Sequence, residues 1–408
     1  MWYNFGTTNT SAACFNKLIS LEGEHITIPS AIFFSGEGLG SVFGRQAIAH
    51  YKNGENGRLM RSLKRVLGTE LMRTGTLINN RPILFKDIIA SFLKNIKEKV
   101  EAQNKNSIEN VVLGRPVHFR DNDPVGDKKA QEELEQIAKT VGFRNISFQY
   151  EPIAGAFAHE QNIEDEKLAF VIDIGGGTSD FSVIRLGKEH KQKSDRKNDI
   201  LANSGIRVGG NDFDKALAIK SFMPELGMNS TFGDKNLKVA SSIYFELAEW
   251  SKINSAYSHS NLAYVRKTLI HSHCKEKFQR LQDLLINEQG HNLLEEVEMS
   301  KIALGNLAEI TATLSSLSEK PEIKIYKKDF EEALVPDSVK LSISIKECLK
   351  LAQIKPEQVE LIILTGGSTE IPYLQKTLCQ KFTNAAISSE NKLSSVALGL
   401  GLYAKNAF

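Results

Sequence analysis

The chain has 408 residues, 41% of them hydrophobic and 25% charged, with 51 lysines and arginines against 49 aspartates and glutamates. That length calls for about two to four compact units, and that balance removes any large electrostatic drive onto nucleic acid or anionic lipid. The four cysteines, Cys14, Cys274, Cys348 and Cys379, form no CxxC pair and no zinc spacing, and no secretory leader or run of about 18 apolar residues occurs, so the chain reads as a cytoplasmic protein with reduced thiols.

In chain order, YNFGTTNTS (3–11) places Gly6 among small hydroxyl residues. SGEGLGSVFG (35–44) nearly spells GxGxxG, but it follows no clear strand and opens no long helix, and it reads as a loop. Helical spacing over 81–103 precedes an expected strand over NVVLGRPVHF (110–119), a helix over 127–143 and a strand over ISFQYEPIAG (146–155). AFVIDIGGGTSDFSVIRL (169–186) predicts a glycine hairpin. The pattern loosens over 215–297, where PELGMNSTFGDKN (224–236) is rich in turn residues and 266–310 is a long polar helical run, so an inserted subdomain is expected. Helix (338–354), strand (359–367) and helix (373–382) then repeat the earlier order, which predicts two α/β halves.

Aligned on Gly6 and Gly175, the two glycine loops carry Asn4 and Asp173 two places upstream. Either loop alone also reads as an ordinary hairpin turn. Together, the backbone N–H groups at Gly6, Thr7 and Thr8 and at Gly175, Gly176, Gly177 and Thr178 can form two nests around one polyphosphate. Asp173 and Asp180 are the carboxylates placed to serve Mg²⁺, directly or through its waters. No GxxxxGK[ST] string occurs. A third glycine site, LIILTGGSTEIP (361–372), closes a strand where ligands of parallel sheets bind.

The ordered set of these loops with YEPIAGAFAH (150–159), RVGGNDFDKAL (207–217), LTGGSTEIPYLQ (364–375) and SVALGLGLYA (395–404) resembles the nucleotide-binding domain of the 70-kDa heat-shock proteins, within the actin-like ATPase superfamily. GRPVHF, QYEPIAGAF and the ending are similar to the YegD branch of that family, and ITIPSAIFF and SLKRVLG to segments near the family's N-terminus. The resemblance implies an α/β, two-lobed actin-like ATPase fold of duplicated ribonuclease H-like halves with inserted subdomains. Lobe I is expected over 1–166 with an insertion at about 25–105, lobe II over 167–387 with an insertion at about 215–297, and a segment at 388–408 that returns to lobe I. ATP or ADP and Mg²⁺ are the implied ligands. Thr7, Thr8 and Thr178 would contact phosphates, with Asn4, Gly6, Gly175, Gly176, Gly177, Gly209 and Gly210 lining the same site. Asp173 and Asp180 would hold the metal and the attacking water through hydrogen bonds, Lys64 would orient the γ-phosphate, and Glu151 would sit near the metal's water shell. Gly366, Gly367 and Ser368 match the adenosine motif, and Glu298 with Lys301 a ribose-contacting pair on one helix face. Without the resemblance, Lys64 beside Arg65 reads as a solvated pair and Glu151 as the end of a strand.

Asn4 stands where the family usually has aspartate, Ile302 and Glu370 where arginines bracket adenine, and Gly305 where serine is common. The chain stops at Phe408, before the linker and peptide-binding domain of DnaK-type chaperones. The expected function is therefore slow Mg²⁺-dependent ATP hydrolysis driving lobe closure, with a co-chaperone-like or client protein as partner, no nucleic acid and no membrane. The alternatives are a non-hydrolysing scaffold pseudo-ATPase acting through a partner, and a small-metabolite kinase of the same superfamily.

Overall fold

The structure, a computed structural model, describes residues 1–14, 17–36, 40–79, 81–191, 193, 196–317, 319–388 and 395–407. Two sheets repeat one plan. In the first, strands β1 (Trp2–Phe5), β2 (Asn9–Cys14), β3 (Lys17–Leu18), β4 (Asn110–Arg115) and β5 (Asn145–Tyr150) lie in the order β3-β2-β1-β4-β5. In the second, β6 (Lys167–Ile174), β7 (Ser179–Leu186), β8 (Ile200–Ile206), β9 (Leu361–Thr365) and β10 (Ala386–Ser388) lie in the order β8-β7-β6-β9-β10. Each begins with an antiparallel meander and continues on the other side of its first strand through two successive parallel strands. The duplicated α/β halves are thus present. The run LAFVIDI of β6 is apolar without alternation because both faces of that strand are covered: from Ala169 to Ile174 every residue is buried.

The chain divides into two compact units. The first, Met1–Gly209 with Lys340–Thr369 and Leu374–Phe408, holds both sheets. The second, Gly210–Val339 with Glu370–Tyr373, is mainly helical, built around buried Phe213, Phe222, Tyr244 and Phe278 and carrying the hairpin Glu309–Thr313/Glu322–Tyr326.

Several sequence expectations need correction. The strand expected over 146–155 stops at Tyr150, and Glu151–His159 is a helix. Pro152 lies in its first turn, where the missing N–H costs nothing, and Ile153, Ala154, Ala156 and Phe157 bury the apolar run that resembled a strand. The strand expected over 110–119 ends at Arg115 because Pro116 cannot donate to the ladder. The long run 266–310 is the end of helix His259–His271, then helices Lys275–Ile286 and Gly290–Asn306, with a strand beginning at Glu309. A strand, Ala31–Ser35, does lead into SGEGLGSVFG, and the helix Gly44–Lys52 follows it. Ser41–Phe43 returns antiparallel to that strand first, so this is a hairpin and not a strand-to-helix phosphate turn; residues 37–39 of it lie outside the described residues. In the segment expected at 388–408, 389–394 and 408 also lie outside them, while Ser395–Ala407 is a helix.

That last helix packs on Glu151–His159 at backbone contact. A Cβ placed on Gly399 would stand 1.5 Å from the Ala154 carbonyl oxygen, and one on Gly401 2.4 Å from Trp2 Nε1. The close crossing fixes the helix whose first residue is Glu151.

Candidate functional site

The first unit brings the two glycine hairpins face to face. In β6/β7, Asp173 lies opposite Asp180, and Gly175 N–H closes the turn on the Thr178 carbonyl at 3.0 Å. In β1/β2, Asn4 lies opposite Ser11. The loops between them interlock: a Cβ on Gly176 would fall 1.9 Å from Thr8 Oγ1, and one on Gly177 2.5 Å from Thr7 Oγ1. Only hydrogen fits there, which is why Gly176 and Gly177 stand in the second loop. Gly209 backs that loop, with Cβ space closed at 2.7 Å by the Gly175 carbonyl. The first loop is pinned by buried Ser30, whose hydroxyl donates to the Gly6 carbonyl at 2.7 Å and lies 2.9 Å from Thr10 Oγ1, while its N–H donates to the Thr8 carbonyl at 2.8 Å.

The third glycine site joins them. Thr365, at the end of β9, pairs with Asp173. Gly366 has φ +80°, and a Cβ there would meet the Ile174 carbonyl at 2.4 Å and Asp173 Oδ1 at 2.6 Å. Ser368 donates its hydroxyl to the Gly175 carbonyl at 3.1 Å. Gly367 follows on the exposed side of this turn.

The charged groups are buried. Lys64, in the short 3-10 turn Leu63–Val66, is 5% exposed and not solvated, and its Nζ donates to Glu151 Oε1 at 2.5 Å. Glu151 is the first residue of its helix and not a strand end. Burial first, then the charge of nearby Glu151, raises the Asp173 carboxyl from 3.8 to about 7, with Lys64 opposing. Asp180 is raised well above its ordinary value by burial, then by Glu151 and Asp173, against the Val117 N–H and Lys64. Two carboxyls opposed on one face of a hairpin, both driven toward the neutral acid, form a site that gains by acquiring a cation.

Among the described residues, no group of three or more His, Cys, Asp or Glu side chains is arranged to ligate a metal directly. The donor set still fits Mg²⁺, which keeps most of its waters and takes few protein ligands. Asn4 Oδ1 is buried without a hydrogen-bond partner, an acceptor that a metal-bound water would satisfy.

The structure therefore brings together Asn4, Gly6, Thr7, Thr8, Lys64, Glu151, Asp173, Gly175, Gly176, Gly177, Thr178, Asp180, Gly209, Gly366 and Ser368. Gly210, Glu298 and Lys301 fall in the second unit. There Lys301 pairs with the buried carboxylate of Asp214 at 2.6 Å, and Glu298 stands close enough to help raise that carboxyl. Sequence reasoning missed Ser30, Thr365 and the Val117 N–H; the last is a backbone group that carries no residue signal.

The repeated sheets, each headed by a glycine hairpin, form the mixed α/β fold of the actin-like ATPases. Comparison with known families agrees: residues 72–227 match the family described as MreB/Mbl protein, and residues 267–405 match Hsp70 protein. The chaperone protein DnaK of Thermotoga neapolitana is 26% identical over 421 residues, which cover 98% of this chain and 58% of the relative. The chain is thus similar to Hsp70 and MreB/Mbl proteins, each over part of its length, and it spans 58% of the DnaK relative's length. No helix among the described residues is long and apolar enough to cross a membrane.

Proposed function

We propose that this chain binds ATP and Mg²⁺ and hydrolyses ATP slowly, as a heat-shock-type nucleotide-binding domain of the YegD branch, the finer assignment suggested by GRPVHF and QYEPIAGAF. The observation that carries the reading is the interlock of Thr7 and Thr8 with Gly176 and Gly177 beside two buried carboxylates and a buried lysine. The N–H groups and hydroxyls of Thr7, Thr8 and Gly176–Thr178 hold the phosphate oxygens, while the Gly6 and Gly175 N–H groups close the turns on Asn4 and Thr178. Asp173 and Asp180 would hold Mg²⁺ through its waters, and Asn4 Oδ1 would accept from one more of them. When bound, Mg²⁺ offsets phosphate charge and fixes the oxygens for in-line attack. Lys64, held in place by Glu151, is the cation that orients the terminal phosphate; Asp173 aligns the attacking water and takes up its proton. Gly366, Gly367 and Ser368 approach the adenosine in this reading. Hydrolysis then drives closure of the lobes and changes affinity for a co-chaperone-like or client protein. The cysteines, of which Cys14, Cys348 and Cys379 are buried and none is in a disulfide, suit the cytoplasm.

Phosphate release by purified protein with Mg²⁺ and ATP, falling further in Asp173→Ala, tests the reading; a rate equal to buffer removes hydrolysis. Asn4, exposed Ile302 and exposed Glu370 favour a second reading, a nucleotide-binding scaffold without turnover. Calorimetry showing equally tight binding of ATP and a non-hydrolysable analogue, with no phosphate released, selects it.

A further inference from the structure

One arginine outside the nucleotide loops governs how the second hairpin's carboxylate is held. Asp180 is 1% exposed, and the Val117 N–H donates to its Oδ1 at 2.6 Å. Val117 belongs to the turn that follows β4, and Arg115, the last residue of β4, folds back over that turn. Its Nε donates to the Pro116 carbonyl at 3.0 Å and its Nη2 to the Val117 carbonyl at 3.0 Å. The same guanidinium is anchored on helix Pro124–Thr140 by Asp127 Oδ2 at 2.8 Å and by the side chain of Gln131. Asp127 Oδ1 then accepts the Phe119 N–H at 2.5 Å, so one ion pair staples both ends of the turn. The guanidinium is 5.1 Å from the Phe119 ring centre and 5.2 Å from that of Tyr150. Arg115 is 9% exposed, so its charge and planar fork are committed to this turn.

We propose that Arg115 is a positioning residue for the hydrolytic site: its fork fixes the turn 115–119 so that the Val117 N–H stays directed at the Asp180 carboxylate. This rests on the ATPase reading above only for its effect on turnover. The charged groups that face Asp180 are Asp173, Glu151 and Lys64, and the first two disfavour its ionised form. A loosened turn withdraws the Val117 N–H from Asp180 Oδ1 and leaves that carboxylate less firmly placed.

The test uses the ¹⁵N-labelled full chain and Arg115→Met, Arg115→Lys and Asp127→Asn, with Asp180→Asn as the reference for a lost charged hydrogen bond. In Arg115→Met and Asp127→Asn the Val117 amide resonance is expected to leave its downfield position and approach that of Asp180→Asn. kcat is expected to fall about 10-fold with KM for ATP within about twofold. Arg115→Lys restores part of each, since an ammonium reaches the carbonyls without the fork. A Val117 amide and a kcat unchanged in both Arg115→Met and Asp127→Asn overturn the proposal. If wild type shows no turnover but the amide moves in the variants, the ATPase reading fails and the positioning role stands. Should Arg115→Met not fold, Asp127→Asn and Arg115→Lys decide on the same amide readout.

Discussion

Asn4 faces Ser11 across the first hairpin at the register at which Asp173 faces Asp180 across the second. The duplication has kept the backbone and divided the chemistry. Each glycine loop can offer N–H groups and hydroxyls to phosphate, but both carboxyls belong to the second copy. The first copy contributes an amide oxygen, buried and unpartnered, where a charge would otherwise stand. This division suits a site that grips phosphate with both halves and holds its metal mainly from one.

Restoring the acid should therefore strengthen the metal. Asn4→Asp is expected to raise Mg²⁺ affinity in the presence of ADP by about 10- to 100-fold and to raise turnover in the same direction. Without metal the added buried charge has no partner, and the variant should unfold more easily by about 1–3 kcal/mol. Titration with Mg²⁺ followed by calorimetry measures the first effect and urea unfolding the second. Unchanged Mg²⁺ affinity in a folded variant would place Asn4 away from the metal's water shell.

Asp173 gives the nucleotide-free protein a defined pH dependence. Its carboxyl is raised from 3.8 to about 7, so the folded state holds this proton more tightly than the unfolded chain does. Stability attributable to this group is fully present below pH 3.8 and is lost as pH rises toward about 7, beyond which the loss is constant. Asp173→Asn removes that loss and should gain on wild type by up to ~4 kcal/mol between acid and neutral pH. Urea unfolding at the two ends of the window, without nucleotide, measures it; Mg²⁺ with ADP should shrink the gap. An equal difference between the two proteins at both pH values contradicts the proposed burial of an ionised Asp173.

Much of this was legible in the sequence, for identifiable reasons. Positive φ and missing Cβ space leave a residue signal, so Gly6, Gly176, Gly177 and Gly366 announced the loops. Repetition did the rest, because the order of helices and strands recurs in both halves. The helix at Glu151–His159 was hidden because IAGAFA is apolar on every side, and a buried helix and a buried strand then look alike. Lys64 read as a solvated charge because burial arises from distant packing, here the helix bearing Glu151. The turn held by Arg115 acts through backbone groups, which no side-chain pattern reports.

Lys64 and Glu151 are a buried pair in which each partner justifies the other. Lys64→Met leaves the Glu151 carboxylate uncompensated and should cost about 3–5 kcal/mol. Adding Glu151→Gln should recover most of it, because an amide needs no countercharge. Guanidinium unfolding of the two singles and the double gives the coupling as a double-mutant cycle. Additive losses would mean that the two side chains do not share one buried site. In the double variant turnover should stay low even with stability restored, since the cation oriented at the terminal phosphate is gone.

The last prediction separates glycines that hold the site together from those that do not. Gly399 has no room for a methyl group: its Cβ would stand 1.5 Å from the Ala154 carbonyl oxygen and 2.3 Å from the carbonyl carbon, both rigid backbone. Gly399→Ala must push the last helix off Glu151–His159 and with it disturb Glu151, at a cost of about 3 kcal/mol or more. Gly305, inside the helix Gly290–Asn306, has nothing within 4 Å of its Cβ position. Gly305→Ala should therefore stabilise the protein by about 0.4–1 kcal/mol, through lower chain entropy in the unfolded state. Thermal unfolding of both variants checks the pair, and nucleotide affinity should fall in the first alone. If Gly399→Ala unfolds as wild type does, the two helices are not in backbone contact, and the fixed position of Glu151 must have another cause.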